Sequence, residues 1–263
     1  MIRVGLAIVI VALLAAVLGP SLTPYDPAAQ MLSERLDPPS RSHPFGLDEL
    51  GRDIFARLVA GARISLAVGL VVVTVSSTIG MILGAIAGYF GGLADDVISR
   101  VVDVLMAFPG ILLAIALVAV LGPSLANVIL ALCVIGWVGY ARLVRGQALR
   151  ARELDYVQAA RALGAGPARI VLRHVLPSAF PAVIVQATLG MAGAIIAEAS
   201  LSFLGLGVQP PTPSWGTMLD AGRSHLFDAP HLTLFPGLAI AILVLGFNFL
   251  GDGLRDRLDP KNP

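Results

Sequence analysis

The sequence predicts an all-α integral membrane protein with about six transmembrane helices, and two observations support this. The first is composition: 57% of the 263 residues are hydrophobic and 13% are charged, whereas a soluble domain averages about 25% charged residues. The second is a set of six apolar runs, each close to the roughly 20 residues that a helix needs to cross a bilayer. Because lipid cannot bond backbone polar groups, these runs are predicted to be helices.

The six predicted spans follow one another along the chain. They are Val4–Leu22, Ile64–Phe90, Val97–Leu121, Leu125–Tyr140, Ala179–Leu206 and Leu232–Leu254. The chain then divides into a first transmembrane helix at 1–22, an extracytoplasmic loop at 23–63, a five-helix core at 64–254 and a cytoplasmic tail at 255–263. The first run has the short charged start of a signal peptide, but its length favours a retained helix.

The basic residues set the orientation. Six crossings place both termini on one side of the membrane. If that side is the cytoplasm, 12 of the 18 lysines and arginines lie inside, seven of them in the loop at 141–177. Cytoplasmic loops of membrane proteins carry an excess of Lys and Arg, so both termini are predicted to be cytoplasmic.

The end of the first outer loop has an amphipathic pattern. Leu50, Ile54 and Leu58 fall on one helical face, and Asp53 and Arg57 are spaced i,i+4 on another. This pattern predicts a helix lying at the outer surface before the second span.

Two features inside the spans concern helix packing. Gly80, Gly84 and Gly88 repeat every four residues and line one face of the second span. Small residues let helix backbones approach closely in lipid, although glycine is also simply frequent in membrane helices. Pro109 lies inside the third span and is expected to kink it.

The inner loop from Ala141 to Pro177 predicts a helix, a turn and a second helix. Asp155 is placed to cap the first helix, and Gln158 three residues later would complete a capping box. Gly164 suits the left-handed residue that ends a helix.

The second helix of this loop is predicted to begin with Pro167 in its first turn and to run to Leu176, with Pro177 ending it. Four alanines leave the predicted elbow thin: Ala159, Ala160, Ala162 and Ala165. By chemistry alone the loop could enter a groove on a partner protein or touch lipid head groups. A DNA-binding helix-turn-helix is disfavoured because the arginines are not confined to the second helix.

The motif Gln158-Ala159-Ala160, then Gly164, then His174-Val175-Leu176-Pro177 resembles the cytoplasmic loop of binding-protein-dependent ABC import permeases. That family usually has Glu at the first position, where this chain has Gln158. The change leaves local hydrogen bonding possible, because an amide both donates and accepts.

Further segments resemble the dipeptide, oligopeptide and nickel permeases, and in particular the C-type subunit of their heterodimeric pore. These segments are His43–Leu58, Gly61–Leu66, Ala87–Gly92, Ala107–Pro109, Glu198–Gly207, Pro213–Gly216 and Leu254–Pro260. Together they cover most of the chain from His43 onward.

The resemblance implies the type I (MetI-like) import permease fold and a location in the bacterial inner membrane. It also implies a homologous permease partner, two cytoplasmic ATPase domains and an extracytoplasmic solute-binding protein. The residues implied to couple to an ATPase are Tyr156, Gln158, Ala159, Ala160, Leu163, Gly164, Ala165, His174 and Pro177.

The sequence lacks a nucleotide site of its own. Its single lysine, Lys261, is near the C-terminus, and a phosphate-binding loop needs Gly-Lys followed by Ser or Thr. ATP and Mg²⁺ are therefore expected in partner subunits, and this chain is expected to be neither an enzyme nor a nucleic-acid-binding protein. The four histidines have no metal-ligand spacing, so no metal site is expected.

Glu198 is the sharpest intramembrane candidate, since acids within spans are costly and often functional. It could line the translocation path, or it could serve as a structural partner of an arginine or backbone N–H in another subunit. The alternative function is an ion-coupled secondary transporter with Glu198 as the ion carrier.

Overall fold

The helices of the computed structural model follow the apolar runs of the sequence, and the model describes residues 1–258. In chain order they are α1 (Ile2–Leu22), α2 (Ile54–Phe90), α3 (Gly92–Met106), α4 (Gly110–Leu121), α5 (Leu125–Ala151), α6 (Asp155–Ala162), α7 (Pro167–Ile170), α8 (Leu176–Phe203), α9 (Trp215–Gly222) and α10 (His231–Leu258). No strand occurs in the described residues. The predicted all-α class is confirmed. The last five residues of the predicted tail, 259–263, lie outside the described part.

Within residues 1–258, five helices are long and apolar enough to cross a membrane, and a bent pair makes a sixth if it counts as one span. The bent pair is α3 and α4, which meet at 86°. We predicted one kinked span here; the bend occurs at the predicted place but is sharper than a kink, because Ala107–Pro109 interrupts the helix completely. Pro109 has no N–H to continue the ladder of α3 and instead precedes the first turn of α4.

The expected surface helix before the second span is absent from the described residues, because Ile54 onward forms the first turns of α2. Asp53 caps this 37-residue helix by accepting a hydrogen bond from Ala56 N at 2.7 Å. Arg57 pairs with Asp48 at 3.4 Å and not with Asp53. The amphipathic pattern therefore marks the buried start of a long span and not a separate element.

The glycine face of α2 packs against α5, and the two helices run parallel. A methyl group added at Gly80 would meet Tyr140 and the Trp137 carbonyl, and one at Gly88 would lie 2.5 Å from the Arg145 carbonyl oxygen. Gly84 is equally close to α5. Gly80, Gly84 and Gly88 therefore form the predicted packing seam, which joins the two helices backbone to backbone.

Helices α1 and α10 are antiparallel neighbours that bring the start of α1 close to the last turns of α10. Gly253 of α10 touches Ile2, and Gly246 touches Ile8. The end of the molecule that holds these contacts also carries α6, and we call it the α6 end. The opposite end, which carries α9 and the segment between α1 and α2, is the α9 end.

Candidate functional site

The segment between α5 and α8 forms a projecting elbow, defined here as residues 152–177. Its first helix, α6, begins at Asp155 with Leu154 as the N-cap and with no side-chain cap. The predicted capping box is therefore wrong: Gln158 donates from its amide nitrogen to the carbonyl oxygen of Arg152 at 2.9 Å. Gln158 thus ties α6 to the end of α5, a bond that the carboxylate of a Glu could not donate.

The turn of the elbow is closed by a Schellman motif. The N–H of Ala165 donates to the carbonyl of Ala160, and the N–H of Gly164 donates to that of Arg161, each at 3.0 Å. Gly164 has φ +84°, the left-handed conformation that the sequence predicted. No atom lies within 4 Å of a methyl group added there, so backbone conformation and not space explains the glycine.

The second arm of the elbow starts at Pro167, in the first helical turn as predicted. It does not end at Pro177. Residues 171–175 form one π-helical turn, in which Leu176 N donates to Val171 O, and the helix continues into α8. In a regular helix the Pro177 ring would clash with the carbonyl four residues earlier. The wide turn before Pro177 accommodates that ring, so one helical rod joins the elbow to the membrane.

An apolar cluster fixes the elbow to the membrane helices. Val157 of α6, Ile170 of α7 and Val175 of the π turn are at most 1% exposed. They pack with three residues of α2 and α5: Tyr89, Ala148 and Ala151. Burying a side chain of this kind contributes about 1.5–3 kcal/mol, which is enough to hold both arms in one orientation.

Arginines add polar attachments at the same place. The guanidinium of Arg152 donates to the Gly88 carbonyl at 3.3 Å, and that of Arg161 lies 5.7 Å from the centre of the Tyr89 ring. Nearby, Arg145 of α5 donates to Asp95 of α3, with the Nη2–Oδ2 pair at 2.8 Å. None of these attachments was predicted from the sequence. Their partners lie between 50 and 72 positions apart, so spacing along the chain gives no signal.

The outward surface of the elbow combines exposed apolar side chains with positive charge. Leu163 is 88% exposed, Leu172 is 67% exposed and Tyr156 is 49% exposed. Beside Leu163 lies a concavity of about 340 Å³ lined by Arg169, Arg173 and other elbow residues. Large exposed apolar residues rimmed by polar ones are typical of protein interaction sites.

The predicted coupling residues lie on this elbow, with different exposure. Six of them are exposed and three are half-buried. The exposed residues are Tyr156, Gln158, Ala159, Leu163, Gly164 and Pro177, and the half-buried ones are Ala160, Ala165 and His174. The ring of His174 is tilted against that of Tyr156, with centroids 5.8 Å apart.

Glu198 lies apart from the elbow, toward the α9 end. Its carboxylate is fully buried and accepts hydrogen bonds from the hydroxyls of Ser65 at 3.2 Å and Ser202 at 2.7 Å. Of the two roles predicted for Glu198, the hydroxyls of this chain fill that of a structural partner, which the sequence assigned to an arginine or backbone N–H of another subunit.

Comparison with known families gives two matches. The model for "Binding-protein-dependent transport system inner membrane component" matches residues 80–262. A second model, for the N-terminal transmembrane domain of oligopeptide transport permease C, matches residues 1–39. The first match includes the whole elbow, and the second includes α1.

Similar proteins extend over nearly the full chain. The dipeptide transport system permease protein DppC of Alkalihalophilus pseudofirmus is 49% identical over 98% of this chain and 85% of that protein. The glutathione transport system permease protein GsiD of Pectobacterium atrosepticum is 51% identical over 91% of this chain and 80% of that protein.

Among solved structures, inward-facing forms of the MetNI methionine ABC transporter share the fold. One match has a TM-score of 0.58 at 22% identity and covers 76% of this chain and 95% of the other. A second has a TM-score of 0.59 and covers 77% and 96%. The predicted MetI-like fold is confirmed.

Proposed function

Because this chain belongs to the family of inner membrane components of binding-protein-dependent transport systems, we propose that it serves an ATP-driven importer of dipeptides or similar short peptides. It acts there as a permease subunit of the C type. The proposed solute class rests on the similarity to a dipeptide permease over 98% of this chain. The ion-coupled alternative has no support from the family, and Glu198 is enclosed by hydroxyls of its own chain.

The proposed mechanism rests on the geometry of the elbow. It exposes Leu163 at its tip, and its second arm continues without interruption into α8. A force applied at the tip would therefore move α8, and the buried cluster around Val157 would pass part of it to α2 and α5. This arrangement suits a part that converts closure of an ATPase dimer into helix movement.

The proposed complex has several further components. A homologous permease subunit completes the pore, two ATPase domains bind ATP and Mg²⁺ and dock on the elbows, and a solute-binding protein delivers peptide at the α9 end. The α6 end, with the start of α1 and the end of α10, faces the cytoplasm of a bacterial cell, in agreement with the excess of arginine there. ATP hydrolysis belongs to the partner subunits.

The exposed tip gives the test of docking. Leu163→Glu places a charge where we propose an apolar contact with the ATPase, and little folding cost is expected because Leu163 is 88% exposed. Loss of a central apolar contact costs about 2 kcal/mol or more, so at least a tenfold loss of ATPase retained in a mild-detergent pull-down is expected.

The matched control is Phe227→Glu, which changes a fully exposed apolar residue in the loop between α9 and α10. It should leave ATPase retention unchanged. Equal retention by Leu163→Glu and the wild-type chain would contradict docking at the elbow. A purified chain that moves dipeptide down an ion gradient without an ATPase would contradict the proposed function itself.

A further inference from the structure

A concavity of about 270 Å³ lies between α2, α4, α5 and α8, and neither Glu198 nor any elbow residue is among its lining residues. Its mouth is open at Gln186 and Gly193 of α8, which are both exposed. Its deep side holds the hydroxyls of Ser76 of α2 and Tyr140 of α5. No charged side chain is among its lining residues.

The hydroxyl of Ser76 is an unusual feature of this concavity. Ser76 is 1% exposed, and its Oγ has no hydrogen-bond partner within the described part of the chain. A buried polar group without a partner costs about 1–3 kcal/mol, and such a group in a native structure calls for an explanation. A ligand that pairs with the Ser76 hydroxyl during the transport cycle would explain why it is unpaired here.

Two glycines leave room for the two hydroxyls. A methyl group at Gly136 of α5 would lie 2.5 Å from the Ser76 Oγ, and one at Gly190 of α8 would lie 2.5 Å from the Tyr140 hydroxyl. Tyr140 has only a long contact of 3.5 Å, to the backbone carbonyl of Gln186. Any larger residue at either glycine would displace a hydroxyl from the concavity.

From this geometry we propose that the concavity is a contact site for the transported solute, in which the Ser76 hydroxyl pairs with the amide group of a peptide bond. Neutral hydrogen-bonding groups in an apolar wall suit an uncharged amide better than the charged ends of a peptide. The inference rests on the proposed function and adds the residues that meet the solute within the membrane.

The test uses the complete complex of both permeases, the ATPase and the binding protein in proteoliposomes, with radiolabelled alanyl-alanine at a subsaturating concentration. Ser76→Ala should lower ATP-driven uptake about fivefold, the factor that corresponds to one hydrogen bond. Ser77→Ala is the matched control, since Ser77 is only half-buried and its hydroxyl already donates to Thr74 O at 3.2 Å. Its uptake should equal that of the wild type.

Thermal unfolding separates a solute contact from a structural role. Ser76→Ala removes an unpaired buried hydroxyl, so its melting temperature should stay the same or rise. Gly136→Ala crowds the same hydroxyl and should also lower uptake. Gly139→Ala on the same helix is its control, because a methyl group there would meet no atom within 4 Å, and its uptake should equal that of the wild type.

Two results would overturn the inference alone: wild-type uptake by Ser76→Ala, or a loss of uptake that is accompanied by a fall in its melting temperature. Absence of ATP-driven dipeptide uptake by the wild-type complex would overturn the proposed function together with it.

Discussion

At the scale of single residues, the elbow depends on the backbone of one glycine. Gly164 and Gly166 lie two positions apart, and an added methyl group would meet no atom within 4 Å at either. They differ in conformation, since Gly164 has φ +84° and Gly166 has φ −68°. This pair therefore separates the effect of backbone conformation from that of steric crowding.

Replacement of Gly164 by alanine should loosen the turn. A left-handed conformation costs an L-residue roughly 1–2 kcal/mol, so the open population of α6 should rise about fivefold or more. Hydrogen exchange of the α6 amides in the purified chain measures this population. Gly166→Ala should leave it unchanged or lower it, and equal exchange in the two variants would contradict a conformational role for Gly164.

At the scale of elements, the parallel contact between α2 and α5 joins a helix of 37 residues to one of 27 residues. It rests on glycines because a side chain on α2 would meet the α5 backbone, as at Gly84, where a methyl group would overlap the carbonyl oxygen of Ala141 and lie 3.0 Å from the Arg145 nitrogen. In lipid, such close packing substitutes for the hydrophobic effect between helices. The pair should therefore move as one body.

Gly84→Ala should destabilise the chain although alanine is the better helix former. Overpacking costs typically about 1–3 kcal/mol, which exceeds the gain in helix propensity of up to about 1 kcal/mol. A methyl group added at Gly146 of α5 would meet no atom within 4 Å. Gly146→Ala should therefore show only the gain in helix propensity. Thermal unfolding in detergent compares them, and an increase in melting temperature for both variants would show that the seam is not tight.

The sequence predicted those features that depend on neighbours in the chain. Glycine is the residue type that most readily adopts the left-handed conformation of Gly164, and the ring of Pro167 fixes its own φ. The four-residue repeat of glycines in α2 defines a face by helix geometry alone. The sequence could not predict features that depend on distant residues. Asp155 and Gln158 were expected to form a capping box at the start of α6, but the Gln158 side chain bonds the carbonyl of Arg152 instead. The unpaired hydroxyl of Ser76 exists only because α2, α5 and α8 meet around it.

At the scale of the whole molecule, the two ends differ in chemistry. The α6 end holds both described chain ends and the arginine-rich elbow, while the α9 end holds a folded segment between α1 and α2. In that segment Asp48 pairs with Arg52 at 2.7 Å, and the Phe45 ring stacks on that of Phe235, with centroids 4.1 Å apart. A rigid α9 end suits reception of a folded protein, and a projecting α6 end suits mechanical input.

The orientation can be measured with single cysteines in a chain whose native thiol is removed by Cys133→Ala. Phe227→Cys at the α9 end should react with a membrane-impermeant maleimide in intact cells. Leu163→Cys at the elbow should react only after solubilisation in denaturing detergent, which also strips any docked protein. Labelling of Leu163→Cys in intact cells would place the elbow outside and remove the basis for ATPase docking.

The parallel pairing of α2 with α5 also has a consequence for biosynthesis. Helices that run in the same direction cannot be adjacent along the chain, so α3 and α4 must be delivered to the bilayer between them. Until residues 125–151 leave the ribosome, the bare backbone groove of α2 faces acyl chains or an insertase. Nascent chains stalled before α5 should therefore be preferred substrates for membrane proteases.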